Sequence, residues 1–119
     1  LNNAKVLLAV DAAYLAGIVD GEGSIVELKR KDGSVKGHRL MVANTDLGLL
    51  NWCVDITGVG NLSLQHKQHV YYKDCYSWRV TGIKARSIMW QLLPYLKIKL
   101  DKAMKATNMY AEELSCQVA

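Results

Sequence analysis

Residues 14–25 read "YLAGIVDGEGSI", and this stretch decides how the chain is read. A helix that only needed an apolar face would use Leu and Ala, because each Gly in a helix interior costs about 1 kcal/mol relative to Ala. Gly17, Gly21 and Gly23 therefore need another reason, as do the carboxylates Asp20 and Glu22. In a helix, Ala9, Ala13, Gly17 and Gly21 fall at successive i+4 positions with Ala12 and Ala16 beside them, which makes a stripe of small side chains. Such a stripe lets a second helix approach almost backbone to backbone. One copy per chain points to a two-fold homodimer; a tight pair of helices within the chain gives the same periodicity. The dimer contacts expected from the stripe are Ala13, Ala16, Gly17, Asp20 and Gly21.

Asp20 and Glu22 stand where this helix must end, against the negative pole of its macrodipole. Carboxylates placed against their local field imply a cation. Two pairs meeting at a dimer axis would repel strongly unless divalent ions neutralised them. A site with few protein oxygens suits Mg²⁺, which keeps several waters and takes further ligands from a substrate phosphate. A metal-dependent phosphodiester site is as far as these residues lead by themselves.

The chain has 119 residues, half of them hydrophobic, enough for one domain with a proper core and against disorder. "KVLLAVD" is too short to be a secretory signal, and no run is long enough to span a bilayer. Cys53, Cys75 and Cys116 are odd in number and far apart, which suits reduced thiols in an intracellular protein, its compartment open. Because the chain starts at Leu1, its ends need not be the biological ones. The net charge is +4, concentrated in two patches. Lys29, Arg30, Lys31, Lys36 and Arg39 form one, and Lys97, Lys99, Lys102 and Lys105 the other. Two basic patches suit a polyanion, although solvated faces read the same way.

Alternation and turn chemistry predict helix 11–20, strand 24–31, an Asp-Gly hairpin at 31–34, and strand 35–43. Next come helix 47–56 stopped by Gly58, strand 61–67, strand 76–80 and helix 85–93. Pro94 interrupts, and a last helix runs over 95–114. The order is α+β: a four-stranded antiparallel sheet with helices on one face and the other face free for a ligand.

"LAGIVDGEG" (15–23) closely resembles the nine-residue signature of the LAGLIDADG homing endonucleases. Leu15, Ala16, Gly17, Asp20 and Gly23 match outright, and Ile18, Val19, Gly21 and Glu22 are ordinary variants. "VANTD" (42–46), "ITGVG" (56–60) and "LLPYLKIK" (92–99) look like the family's later segments. The resemblance covers nearly the whole chain as one endonuclease domain, 1–119, and implies the αββαββα core with its saddle-like sheet. It makes Glu22 the metal ligand, with the Gly21 carbonyl assisting, and Asp20 a structural acceptor. Asn44 matches the Gln or Asn near the scissile phosphate, and Lys99 the lysine that stabilises developing charge. By their residue types alone, Asn44 reads as an N-cap and Lys99 as a solvated lysine. A second basic residue of some members is missing near Gly48, where Lys97 or Arg39 is the candidate substitute.

The resemblance implies hydrolysis of one phosphodiester in each strand of duplex DNA with Mg²⁺, Mn²⁺ substituting and Ca²⁺ supporting binding without cleavage. It also implies a gene carried by an intron or intein. A sheet with one open face fits a major groove. Strands of about eight residues at ~3.3 Å cover roughly 26 Å, near eight base pairs, so a dimer reads sixteen or more of a near-palindrome. Alternation sends Leu40, Val42, Leu62, Leu64, Trp78 and Val80 inward. It sends Arg39, Met41, Asn61, Ser63, Gln65, Ser77 and Arg79 outward to DNA. The first strand has two readings: Val26, Leu28 and Arg30 face DNA in the family's register, whereas Glu27, Lys29 and Lys31 do on the hydrophobic pattern; Arg30 is carried as a DNA contact. His66 and His69 read as surface or phosphate-contacting residues rather than metal ligands. Two rivals stand beside the homodimeric nuclease: a silent nucleic-acid binder of the same fold, acting on DNA or as an RNA maturase, and one half of a larger single-chain enzyme.

Overall fold

The computed structural model describes residues 4–65 and 73–108. Its first helix, α1 (Ala9–Glu22), extends beyond the predicted 11–20 at both ends. Ala12, Leu15, Ala16 and Val19 recur at helical spacing and form its buried face. Ala9, Ala13, Gly17 and Gly21 lie on the exposed side. The helix runs directly into β1 (Gly23–Lys29), and the Gly23 amide closes back onto the Val19 carbonyl. A Cβ at Gly23 would stand 2.8 Å from Val19 Cα, so only glycine fits this junction. Beside Gly17 and Gly21, by contrast, a Cβ would meet none of the described residues within 4 Å.

Three further strands complete an antiparallel sheet: β2 (Val35–Asn44), β3 (Asn61–Gln65) and β4 (Cys75–Thr81), in the order β1-β2-β4-β3. The first hairpin has a longer connection than predicted, residues 30–34, because β1 ends at Lys29. Arg30 N–H donates to the Ser34 carbonyl at 2.8 Å, and Asp32 Oδ1 accepts from Ser34 N–H at 2.9 Å, locking the turn. The helix α2 (Leu47–Thr57) starts at Asp46, whose carboxylate accepts from Leu49 N–H at 3.2 Å, and ends at Gly58 with φ +72°. The chain then passes through α3 (Gly82–Leu92) and α4 (Leu100–Asn108). The last helix therefore does not begin at Tyr95 as expected. Pro94 has no amide to continue a helix, and the amides of 97–99 are taken by a side chain described below; residues 109–114 of that expectation lie outside the described residues.

All helices pack on one face of the sheet, chiefly over β1, β2 and β4. Trp78 of β4, fully buried, anchors the core with Leu15, Leu40, Leu50, Ile88 and Leu92. Its indole N–H donates to the Val59 carbonyl at 3.0 Å. Burying a ring of this size is worth about 4–6 kcal/mol at roughly 25 cal/mol/Å². Gly60, at φ +104°, lets the α2–β3 turn lie against the indole, where a Cβ would come within 2.1 Å of Nε1. Leu62 and Leu64 point to the helix side, opposite Trp78 and Tyr76. Leu64 nevertheless stays 56% exposed, because β3 is an edge strand that the helices do not fully roof.

Cross-strand pairing resolves the first strand. Val26 stands opposite Arg39 and Ser24 opposite Met41, and Met41 in turn stands opposite Arg79, so these residues share the open face. Leu28 joins them, opposite Gly37. Glu27 points to the helices, where it pairs with Lys105 at 2.9 Å beside the buried His38. The regular hydrophobic alternation fails here because Val26 and Leu28 occupy the open face while Ile25 alone enters the core. Cys53 is buried, its thiol pushed up to about 12 by burial; Cys75 is half-buried, and both are free. Cys116, His66 and His69 lie outside the described residues. Among the described residues no helix is long and apolar enough to cross a membrane.

Candidate active site and nucleic-acid interface

The C-terminal turn of α1 gathers the residues that the sequence singled out. Asp20 accepts three successive backbone N–H groups of the α3–α4 connection: Lys97 at 2.8 Å, Ile98 at 3.1 Å and Lys99 at 2.9 Å. The Lys99 ammonium returns the bond, donating to the Asp20 carbonyl at 2.8 Å, an otherwise orphaned group at the helix end. Partial burial pushes the Asp20 carboxyl up, but the amides of Lys99, Lys97 and Ile98 and the Lys99 charge outweigh it and hold the group below its ordinary value. Asp20 is thus a structural acceptor that binds the Lys99 segment to α1.

Two residues on, Glu22 is exposed and accepts from Asn44 Nδ2 at 2.5 Å. Asn44 Oδ1 accepts from Asp46 N–H at 2.8 Å, which fixes the amide so that its NH₂ faces Glu22. One element therefore positions each member: the end of α1 holds Glu22, the end of β2 holds Asn44, and the Asp20-bound loop holds Lys99. Among the described residues no group of three or more His, Cys, Asp and Glu could cage a metal ion. The donors at hand are hard oxygens, one carboxylate with its Oε1 not engaged by Asn44 and the neighbouring Gly21 carbonyl. That set fits a Mg²⁺-type ion completed by water and phosphate, and fits a Zn²⁺-type cage badly.

The open face of the sheet begins beside this cluster. Arg39, Met41, Asn61, Ser63 and Arg79 stand on it as expected, with Gln65 opposite Cys75 at its end. Ser77 shares the face but is fully buried, its hydroxyl bonded to that of Ser63 at 2.9 Å, so it offers nothing to a ligand. Arg30 is exposed but lies just past β1 in the hairpin turn, its guanidinium 3.4 Å from the Ser34 hydroxyl. None of the residues paired on this face in the described strands is acidic, so its potential is set by the arginines. Ala16 is a second correction: it is fully buried in the core, on the other side of α1 from Ala13, Gly17 and Gly21. The stripe was right in its periodicity, but Ala12 and Ala16 serve the core, and Asp20 is committed to its loop.

Two features at these sites escape sequence reasoning. Ile98 is 76% exposed in the loop that Asp20 holds, and Lys84 lines the far end of the open face. Lys84 was hidden because the helix was expected to start at Ala85, which left it in a connection; the only signal was Gly82 just before it.

The same architecture occurs in solved DNA complexes. The chain matches the homing endonuclease I-CvuI in complex with its target in the presence of Ca at a TM-score of 0.67 and 24% identity, covering 84% of this chain and 65% of that one. It matches the archaeal intron-encoded homing endonuclease I-Vdi141I complexed with DNA at 0.65 and 12% identity, over 89% of this chain and 70% of that one. It matches the LAGLIDADG homing endonuclease I-GzeII in complex with its DNA target at 0.63 and 18% identity, over 98% of this chain and 40% of that one. No protein-family model and no curated protein matches the chain. At these identities the likeness is one of fold: the chain has the fold of the LAGLIDADG homing endonucleases. It spans less than two thirds of the length of I-CvuI and well under half that of I-GzeII.

Proposed function

We propose that this chain is a LAGLIDADG-type endonuclease domain that cleaves both strands of a long, near-palindromic duplex as a homodimer with a divalent metal ion. The observation that carries the reading is the convergence of Glu22, Asn44 and Lys99 at the end of α1, beside an open arginine-bearing sheet face. A protein that only bound DNA would have no use for a carboxylate facing an incoming phosphate.

Glu22, with the Gly21 carbonyl, would hold the ion, Mg²⁺ or Mn²⁺. When bound, such an ion supplies positive charge at the scissile phosphate and acidifies a water. Asn44 orients the Glu22 carboxylate and keeps a second amide proton for a phosphate oxygen or the attacking water. Lys99 has two ammonium protons beyond the one given to Asp20, and these stabilise charge developing on the leaving oxygen. The open face lies against the major groove, with Met41, Asn61 and Ser63 toward the bases and Arg39 and Arg79 supplying its positive charge.

Dimerisation is supported by the exposed side of α1, where a Cβ at Gly17 or Gly21 would meet no neighbour among the described residues, beside Val10, 73% exposed, and Tyr14. Leucine at Gly17 meets open space in the single chain, so Gly17→Leu is expected to keep the fold. It gains about 1 kcal/mol of helix propensity and yet halves the mass seen by light scattering. An unchanged dimer would place the interface elsewhere; a wild-type monomer would turn the reading to half of a larger enzyme.

Selection from a random duplex pool in Ca²⁺, followed by Mg²⁺, tests the function directly. Ca²⁺ is larger and more loosely coordinated, so it should support binding without positioning water. A near-palindrome enriched in Ca²⁺ and cut in both strands in Mg²⁺ is the expected result. Enrichment without cutting would make the protein a binder only.

A further inference from the structure

The open face ends, away from Glu22, in a concavity of about 610 Å³ between β2, β4 and the α2–β3 turn. Among the described residues three cations line it, Arg39, Arg79 and Lys84, together with Gly60, Asn61 and Thr81, and none of the lining is acidic. Arg39 Nε is shut off from solvent and, among the described residues, donates to nothing. Packing around that atom holds the guanidinium in place where Arg39 lines the concavity. Thr81, the N-cap of α3, makes no side-chain capping bond, so the first amides of that helix add partial positive charge to the same rim. Val59 and Gly60 wall the other side, held down by the buried Trp78 indole, so the pocket is rigid rather than formed by side chains alone.

The geometry points to a seat for one backbone phosphate of the bound duplex, apart from the cleavage centre, in which Arg39 and Arg79 join Lys84 to clamp the backbone rather than read bases. It rests on the duplex-DNA reading above and adds to it where the backbone is clamped. Three cations converging on one pocket match a phosphate, with a full negative charge spread over its oxygens, better than a guanine edge, whose two neutral acceptors one arginine already satisfies. Arg39 lies five residues from Asn44 on the same strand, which places the seat ~17 Å from the cut at ~3.3 Å per residue. Along a groove that is about five nucleotide steps.

Lys84→Gln and Arg79→Gln, both at exposed positions, test the seat by binding in Ca²⁺ across a salt series, with phosphate-ethylation interference on the same target. Each variant is expected to bind roughly tenfold more weakly, equally for cognate and unrelated duplexes. Each should also flatten the slope of log K against log salt by about 0.9. One ethylated phosphate, about five steps from the cut, should interfere with wild type and cease to do so in Lys84→Gln. Unchanged slope and interference in both variants, with wild type binding normally, would overturn the seat alone. A loss confined to one base pair would make the pocket a base reader and overturn it too. Inorganic phosphate bound by wild type and lost in Lys84→Gln, with the duplex slope untouched, would assign the pocket to a free anion. Failure of wild type to bind any duplex would remove the seat together with the reading it rests on.

Discussion

Glu22→Gln is expected to cut no duplex at a measurable rate while binding its target about as tightly as wild type. Glutamine keeps the length of the side chain and can turn its carbonyl oxygen toward Asn44 Nδ2, so the local pair survives. What disappears is the negative charge, and with it the anchor for a divalent ion. An ion at a phosphoryl centre contributes several kcal/mol, which at about 1.4 kcal/mol per decade is on the order of a thousandfold or more in rate. The measurement pairs strand cleavage in Mg²⁺ with fluorescence anisotropy in Ca²⁺. Wild-type cutting by the variant would remove Glu22 from the metal site. Equal loss of binding and cleavage would mean that Glu22 holds the fold or the DNA instead.

The second large effect is expected at Asp20, which reaches no substrate in this arrangement. Asp20→Ala removes a charged acceptor from three amides and frees the loop that carries Lys99. The loop is mostly exposed, so water takes up the amides and the fold survives with a lowered melting temperature. Lys99 loses its placement, and cleavage should fall roughly 10–100-fold, the usual scale for groups that orient a reacting one. DNA affinity should stay within about twofold, since no phosphate contact is lost. Asp20→Asn retains one strong acceptor and should recover part of the rate, which a purely structural defect elsewhere would not. A variant with the wild-type rate would show that Lys99 needs no such tether. The same contact carries a pH signature. Its folded-state pKa lies below the ordinary 3.8, so its contribution to stability is complete above that value. It is lost as pH falls through the folded-state pKa, and Asp20→Ala should flatten the acid limb of a melting-temperature profile.

Much of this was legible in the chain itself because the signals are local. Small residues at i+4 spacing, Asp-Gly at a hairpin tip, an Asx cap before "LGLL" and a glycine after it each act within a few residues. The element order and the antiparallel sheet follow from them. Where the reading failed, the deciding contact was distant in sequence. Tyr95 to Lys99 looks helical until Asp20, about eighty residues away, claims its amides. On the hydrophobic pattern alone Val26 and Leu28 look like core, and the pairing with Arg39 and Gly37 instead agrees with the register of the resemblance, which turned them outward. Ala16 and Ser77 fit their stripes, but burial depends on what packs over them.

The residue set Glu22, Asn44 and Lys99 could be named from the sequence, since each lies in a short recognisable segment. Their meeting, the pocket at Arg39, Arg79 and Lys84, and the bare outer side of α1 could not be. By itself the sequence determined which segments become helix or strand and which residues carry charge, because propensity, capping and turn chemistry are set by near neighbours. Only the tertiary structure decided which groups share a face, which are sealed from water and which are left without a partner, because those depend on segments that the chain brings together from far apart.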